Sequence, residues 1–280
     1  MKVLVTGAKG QLGYDVVKEL SRRGIDHEGV DKEDFDITDA QAVQEAIQIY
    51  KPDAIIHCAA YTAVDKAEDE PELCRLINEG GTKHIALACK NVDAKMIYIS
   101  TDYVFAGEGE HFHKPHDITA PASVYGVTKL AGEKVVQEIL EKCFIVRISW
   151  VFGQHGNNFV NTMLRLGKER ERVNVVCDQI GSPTYTVDLA PLLCDMAVSE
   201  WYGIYHATNE GVCSWAEFAE EIFRIVSLTA TVCYIPAAEY PVKAKRPYNS
   251  RMDKACLGKA GFARLPHWED ALKRMLNMRF

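Results

Sequence analysis

The sequence predicts an α/β fold: a doubly wound parallel sheet followed by a smaller C-terminal α/β lobe. Three observations carry this. An apolar strand at the start runs straight into a glycine-rich turn and then a helical pattern. Apolar runs of strand length then alternate with helical patterns, which is how βαβ units read. And 280 residues leave room for one large α/β domain with a second lobe.

Lys2-Val3-Leu4-Val5-Thr6 is the first strand. Gly7, Gly10 and Gly13 follow as Gly-x-x-Gly-x-x-Gly, and a helix runs from Tyr14 to Arg23. In this context the first glycine turns the chain, the second lets backbone approach a pyrophosphate, and the third lets the helix pack close to the sheet. The helix N-terminus faces the phosphates. Gly7, Gly10, Gln11, Leu12 and Gly13 are therefore candidate dinucleotide ligands. The next strand, His27–Val30, ends at Asp31, 18 residues past Gly13, where an acidic side chain meets the adenosine ribose. Asp31 points to NAD, whereas the adjacent Lys32 would neutralise a 2′-phosphate, so NADH and NADPH both stay open. Asp36 and Ile37 are placed at the adenine edge, and Thr38 with Gln41 reads as a capping box for a helix Ala40–Tyr50. The strand from Pro52 ends in Ala59, Ala60 and Tyr61, where small residues leave room for ribose and diphosphate. Thr62–Glu68, including Val64, continues towards the substrate side. A helix from about Glu72 to Asn91 leads to the strand Lys95–Ser100.

That strand ends in Ser100-Thr101-Asp102-Tyr103. A hydroxyl at the carboxyl end of a strand, beside a cofactor, is placed to hydrogen-bond a carbonyl oxygen. Downstream, Tyr125-Gly126-Val127-Thr128-Lys129 opens a helix and sets Tyr125 and Lys129 one turn apart. A phenol titrates near pH ~10 and is a poor acid at neutrality. A nearby ammonium favours the phenolate and would lower that value. Such a pair can hand a proton to a developing alkoxide. A second pair with the same spacing, Tyr14/Lys18, sits on the first crossover helix and reads as structural.

Taken together, Gly7-x-x-Gly10-Gln11-Leu12-Gly13, Ser100–Phe105 and Tyr125-Gly126-x-Thr128-Lys129-x-x-Gly132-Glu133 resemble the extended short-chain dehydrogenase/reductases. Within these, Ala59–Glu68, Arg147–Gly153, Asn157–Val160, Asp178–Thr184 and Arg246-Pro247-x-x-Ser250 look like the dTDP-4-dehydrorhamnose reductase family, over nearly the whole chain. The resemblance implies a Rossmann domain and reduction of the C4 ketone of dTDP-4-dehydrorhamnose to dTDP-L-rhamnose, a cell-envelope sugar, with NADPH or NADH. It assigns Thr101, Tyr125 and Lys129 to catalysis. Tyr125 would be the proton donor, and Lys129 would hold the nicotinamide ribose. The implied substrate contacts are Val64, Thr101, Asp102, Tyr125, Trp150, Asn157 and Arg246. Related dehydratases carry a glutamate where this chain has Tyr103, which favours simple reduction over elimination. Family members sometimes bind magnesium at a dimer interface. One such position falls at Asp15, but no full ligand set is evident and no metal is expected. Two alternatives share the fold: another nucleotide-sugar reductase or epimerase, and the regulatory subunit of methionine adenosyltransferase.

In the C-terminal half, Phe144–Ser149 is a strand ending at Trp150, an aromatic suited either to packing over a sugar ring or to filling core. The loop Gly153–Asn158 precedes a helix Phe159–Glu171, and a strand Val173–Cys177 follows. A helix Asp188–Val198 is expected to pack back on the first domain. Gly203–His206 reads as a short strand, Ser214–Glu217 as a capping box for a helix to about Val226, and an amphipathic helix starts near Trp268. Lys243-Ala244-Lys245-Arg246-Pro247 is the densest basic cluster, and a guanidinium there suits a diphosphate. The expected division is 1–150 (with 173–200 packing back) for the cofactor and 151–172 plus 201–280 for the nucleotide sugar. The net charge of −7 argues against nucleic acid or anionic membrane as partner. Nine scattered cysteines without Cys-x-x-Cys argue for reduced thiols in a cytoplasm. No signal-peptide pattern and no membrane-length apolar run is present. A homodimer is a further expectation.

Overall fold

A computed structural model describes residues 1–278; residues 279 and 280, the end of the expected second lobe, lie outside the described residues. The first part of the chain runs β1 (Lys2–Thr6), α1 (Gln11–Arg22), β2 (Asp26–Val30), α2 (Ala40–Tyr50), β3 (Ala54–His57), α3 (Val64–Ala67) and α4 (Pro71–Arg75). A π-helical turn (Leu76–Gly81) joins α4 to α5 (Thr82–Asn91), followed by β4 (Lys95–Thr101), α6 (Val124–Ile139) and β5 (Cys143–Ile148). Then come β6 (Val151–Phe152), α7 (Phe159–Glu169), β7 (Arg172–Val176), β8 (Ile180–Gly181), β9 (Thr184–Tyr185) and α8 (Thr186–Val198). The remainder is β10 (Gly203–His206), β11 (Cys213–Ser214), α9 (Trp215–Ile225), β12 (Thr231–Ile235), β13 (Asn249–Ser250), α10 (Ala255–Lys259) and α11 (Trp268–Asn277).

Six parallel strands form the main sheet in the order β10-β5-β4-β3-β1-β2. Alternate residues of its central strands face opposite ways, and both faces are buried. Val3, Val5, Ile56, Ile97, Val146 and Ile148 pack against Leu12, Val16 and Leu20 of α1 and Leu189, Leu193 and Met196 of α8. Leu4, Ile55, Met96, Tyr98 and Ile145 pack on the other face against Val43, Ile47, Ile85, Ala86 and Val136 of α2, α5 and α6. Strand order reverses between β1 and β3, and ligands of open α/β sheets bind beyond the strand ends at such a point.

The second lobe has its own core, in which α7, α9 and α11 cover the parallel pair β7/β12 through Met163, Phe218, Ile222, Leu272 and Met275. Ser214 and Glu217 form the expected capping box of α9. β10, expected in the second lobe, pairs with β5 in the main sheet, and β7, expected to pack back on the first domain, pairs with β12 in the second core. The cap of α2 is Asp39, which accepts from the amides of Gln41 and Ala42. Thr38, expected in that role, instead donates to Asp36 at 2.7 Å. The expected helix Glu72–Asn91 is interrupted by the π-turn. There Asn78 accepts from the Tyr61 amide at 2.8 Å and donates to Thr128 Oγ1 at 3.1 Å, tying the end of β3 to α6. Among the described residues, no helix is long and apolar enough to cross a membrane.

Candidate active site

A cleft of about 800 Å³ opens at the carboxyl ends of β1, β3, β4 and β5. The turn after β1 needs its glycines for specific reasons. Gly7 has φ +68°, and a Cβ there would sit 2.7 Å from the Ala59 amide. A Cβ on Gly13 would meet the Gly7 carbonyl oxygen at 2.1 Å. Gly13 thus lets α1 start against the turn itself, a nearer contact than the expected one with the sheet. Gln11 and Leu12 line the same wall. Asp31, at the end of β2, accepts from the Lys9 amide at 3.0 Å and the Lys32 amide at 2.9 Å. Its carboxylate therefore fixes the rim of the turn. Asp36, Ile37, Ala59 and Ala60 complete this end. Tyr61, expected with Ala59 and Ala60 at the cofactor, is not among the residues lining the cleft, and its hydroxyl donates to Glu70 at 2.7 Å.

At the other end lie Thr101, Asp102, Tyr103, Tyr125 and Lys129, and Val64, Trp150 and Asn157 also line the cleft. Ser123 caps α6 by accepting from the Gly126 amide, which sets Tyr125 and Lys129 in its first two turns. Gly126 and Gly132 allow close approach, since a Cβ would lie 2.3 Å from the Tyr103 carbonyl oxygen and 2.4 Å from the Tyr98 hydroxyl, respectively. Lys129 is buried, donates to the Ile99 carbonyl at 2.7 Å, and stands 4.1 Å over the Tyr98 ring. Burial holds its ammonium down at about 7, while Glu133 pulls the other way. Glu133 is itself buried in a bidentate pair with Arg147, at 2.8 and 2.7 Å, and accepts from Ser100.

The phenol of Tyr125 departs from the expectation. Burial pushes its pKa well up; a hydrogen bond with Thr101 opposes this, and the Asp102 charge adds to it. The Lys129 amine does not offset the burial, being desolvated and committed to a backbone carbonyl. The protein alone thus holds Tyr125 firmly protonated. Thr101 Oγ1 donates to Asp102 Oδ1 at 3.0 Å, and Ser250 Oγ donates to Asp102 Oδ2 at 2.5 Å. Burial raises the Asp102 carboxyl to about 6, against the pull of those hydroxyls and the Asp102 and Tyr103 amides. Tyr14, of the second pair, is exposed and lies with its ring centroid 3.6 Å from that of His155, outside the cleft.

Arg246 lines a second cavity of about 820 Å³, not the first. It pairs with Asp65 at 2.7 Å, and its Nε is buried without a hydrogen-bond partner among the described residues. Lys243, Lys245, Arg170, Arg172, Phe159, Trp215, Tyr248, Asn174 and Gln179 share that cavity. The two cavities are neighbours. Trp150 of the first stacks on Trp215 of the second, 3.7 Å between centroids and 14° between planes, and Arg246 acts electrostatically on Tyr103. Trp150 adopts φ +50°, and only a glycine at 181 leaves room for its ring, 2.9 Å from where a Cβ would be. Sequence reasoning missed most of the second cavity. Its residues come from α7, β7, α9 and the 237–248 segment, and only the basic run 243–247 marked it.

A parallel sheet with a glycine turn at its switch point, and a threonine, tyrosine and lysine at the opposite end of one cleft, define a nicotinamide-dependent oxidoreductase of the short-chain dehydrogenase/reductase class. The RmlD substrate binding domain family matches residues 1–279, and the chain belongs to that family. It is similar to a dTDP-4-dehydrorhamnose reductase from Bacillus anthracis solved in complex with NADP, with 44% identity, TM-score 0.96, and 99% of each chain covered. It is 39% identical to the dTDP-4-dehydrorhamnose reductase of Escherichia coli K12, covering 100% of this chain and 98% of the relative. It is also 39% identical to the spore coat polysaccharide biosynthesis protein SpsK of Bacillus subtilis, covering 99% and 98%.

Proposed function

We propose that this chain reduces the C4 ketone of dTDP-4-dehydrorhamnose to dTDP-L-rhamnose with NADPH or NADH, and that Tyr125 gives the proton. The observation that carries the reading is a single cleft lined at one end by the Gly7/Gly10/Gly13 turn and Asp31 and at the other by Thr101, Tyr125 and Lys129. The cofactor fit rests on the turn, which has no room for a Cβ at Gly7 or Gly13 and presents the N-terminus of α1. Gly7, Gly10, Gln11, Leu12 and Gly13 would hold the diphosphate, Asp31 the adenosine ribose, Asp36 and Ile37 the adenine, and Ala59 and Ala60 the inner ribose. When bound, the nicotinamide supplies the hydride.

The residues of this chain do the rest. Trp150 orients the sugar ring, and Val64 and Asn157 border it. Thr101 and Tyr125 meet the C4 oxygen, and Tyr125 transfers its phenolic proton there as negative charge develops. A phenol held protonated by burial is in the right state for that step, and the proton moves only when a stronger base forms beside it. Lys129 would hold the nicotinamide ribose and, titrating at about 7, can exchange its own proton near neutrality. The second cavity would take the dTDP moiety, with Arg246 and the neighbouring lysines on the diphosphate and Trp215, Phe159 or Tyr248 on the base. The unpartnered buried Nε of Arg246 supports an anion there. We assign residues 1–150 with α8, β10 and α10 to the cofactor, and 151–185, 208–254 and α11 to the nucleotide sugar. Nine free cysteines favour a reducing, cytoplasmic setting, and gel filtration decides whether the chain acts as a homodimer.

The test is incubation with NADPH or NADH and the 4-keto-6-deoxy sugar nucleotide, with NMR of the product. Appearance of a rhamnose nucleotide supports the reading. Consumption of neither cofactor nor ketosugar overturns it.

A further inference from the structure

Three of the nine histidines fall within six residues, His111, His113 and His116, in the loop between β4 and α6. Short histidine-rich tracts suit metal ions, and here the fold adds a carboxylate. One donor atom from each of His111, His113 and Asp117 lies within 4.8 Å of the others. His111 Nε2 is 3.9 Å from Asp117 Oδ2, and the two imidazole centroids are 4.6 Å apart. His113 is 6% exposed, and its buried Nε2 has no hydrogen-bond partner among the described residues. A buried imidazole nitrogen without a partner is costly unless something occupies it. We infer that His111, His113 and Asp117 bind one divalent transition cation of the zinc class, at a site separate from the catalytic cleft.

The ligand chemistry fits that class. Two imidazoles and one carboxylate suit zinc, whereas magnesium and calcium prefer oxygen donors alone. The site is held in place. The His113 amide donates to the Arg251 carbonyl at 2.9 Å, the Asp253 amide donates to the His113 carbonyl at 2.8 Å, and Asn249 donates to the His111 carbonyl at 2.8 Å. The His113 ring stacks on Phe105 at 4.3 Å. Zinc stands about 2.0–2.2 Å from such donors, so they would draw together by roughly an ångström. His111 is exposed and free to rotate that far. A bound ion would clamp this loop to the 249–253 segment, which carries Ser250, the hydrogen-bond partner of Asp102.

The experiment is calorimetric titration of the tag-free full chain with zinc chloride, repeated for His111→Ala and Asp117→Asn. It is paired with cobalt(II) absorption spectra. One ion per chain is expected, with affinity reduced at least about tenfold in each variant, no displacement by magnesium, and a cobalt spectrum free of thiolate charge-transfer bands. Both substitutions lie outside the catalytic cleft, and unchanged metal-free turnover confirms folding. Failure of the wild type to bind, wild-type affinity in both variants, or a thiolate band placing the ion on cysteine would each overturn the inference.

Discussion

Replacing Ser250 by Ala removes a buried hydroxyl that donates to Asp102 Oδ2 at 2.5 Å. A hydrogen bond to a charged group is worth about 1.5–3 kcal/mol, and one pKa unit corresponds to about 1.4 kcal/mol. Losing the bond should therefore lift the Asp102 carboxyl from about 6 by roughly one to two units. The consequence for catalysis follows from the protons available. Ionised Asp102 claims the single proton of Thr101, and its charge opposes formation of a Tyr125 phenolate. Neutral Asp102 releases the Thr101 proton towards the ketone oxygen or the phenolate. The reductive kcat/KM should then fall as pH rises through about 6 in the wild type, and through a value one to two units higher in Ser250→Ala. The assay is the pH profile of cofactor oxidation at subsaturating ketosugar, with carboxyl NMR titration as a direct check. Stability follows the same sign. A carboxyl raised in the folded state stabilises the fold most below its ordinary value, and that contribution is lost as pH rises through the folded one. An identical inflection in both proteins would refute the coupling of Ser250 to Asp102.

Three further outcomes are expected. Asp31→Ala should shift preference towards NADPH, read as the ratio of kcat/KM for the two cofactors; no change would mean that Asp31 does not read the ribose. Tyr14→Phe should leave turnover within about twofold, because single surface changes away from special features cost little; a large loss would mean that the other Tyr/Lys pair carries the chemistry. Glu133→Gln leaves Arg147 buried without its counter-charge, and breaking such a pair costs about 3–5 kcal/mol. Urea denaturation should show a loss of that order, and a difference below about 1 kcal/mol would contradict the burial of this pair.

Much of the cofactor end was legible because its information is local. The glycine spacing, the strand before it and Asp31 all lie within the first 31 residues. The Tyr125/Lys129 pair was legible for the same reason, since Ser123 caps the helix directly before it. What escaped depends on distant partners. The cap of α2 moved to Asp39 because Asp36 engages the Thr38 hydroxyl. Tyr61 looked like a cofactor contact until Glu70 took its hydroxyl. The expected lowering of the Tyr125 pKa came from helix spacing alone. Spacing did not reveal that Lys129 would be buried against Ile99 and Tyr98. The basic run made Arg246 an expected anion ligand, but its cavity is assembled from segments up to about 90 residues apart, beyond any local pattern.

The account stands most directly on single-turnover transfer of deuteride from labelled NADPH to C4 of the ketosugar, measured for the wild type and Tyr125→Phe alongside cofactor affinity. It predicts labelled product from the wild type, a rate about 10²–10⁴-fold lower in the variant, and nearly equal cofactor affinity. Transfer at the wild-type rate without the phenolic hydroxyl would contradict it.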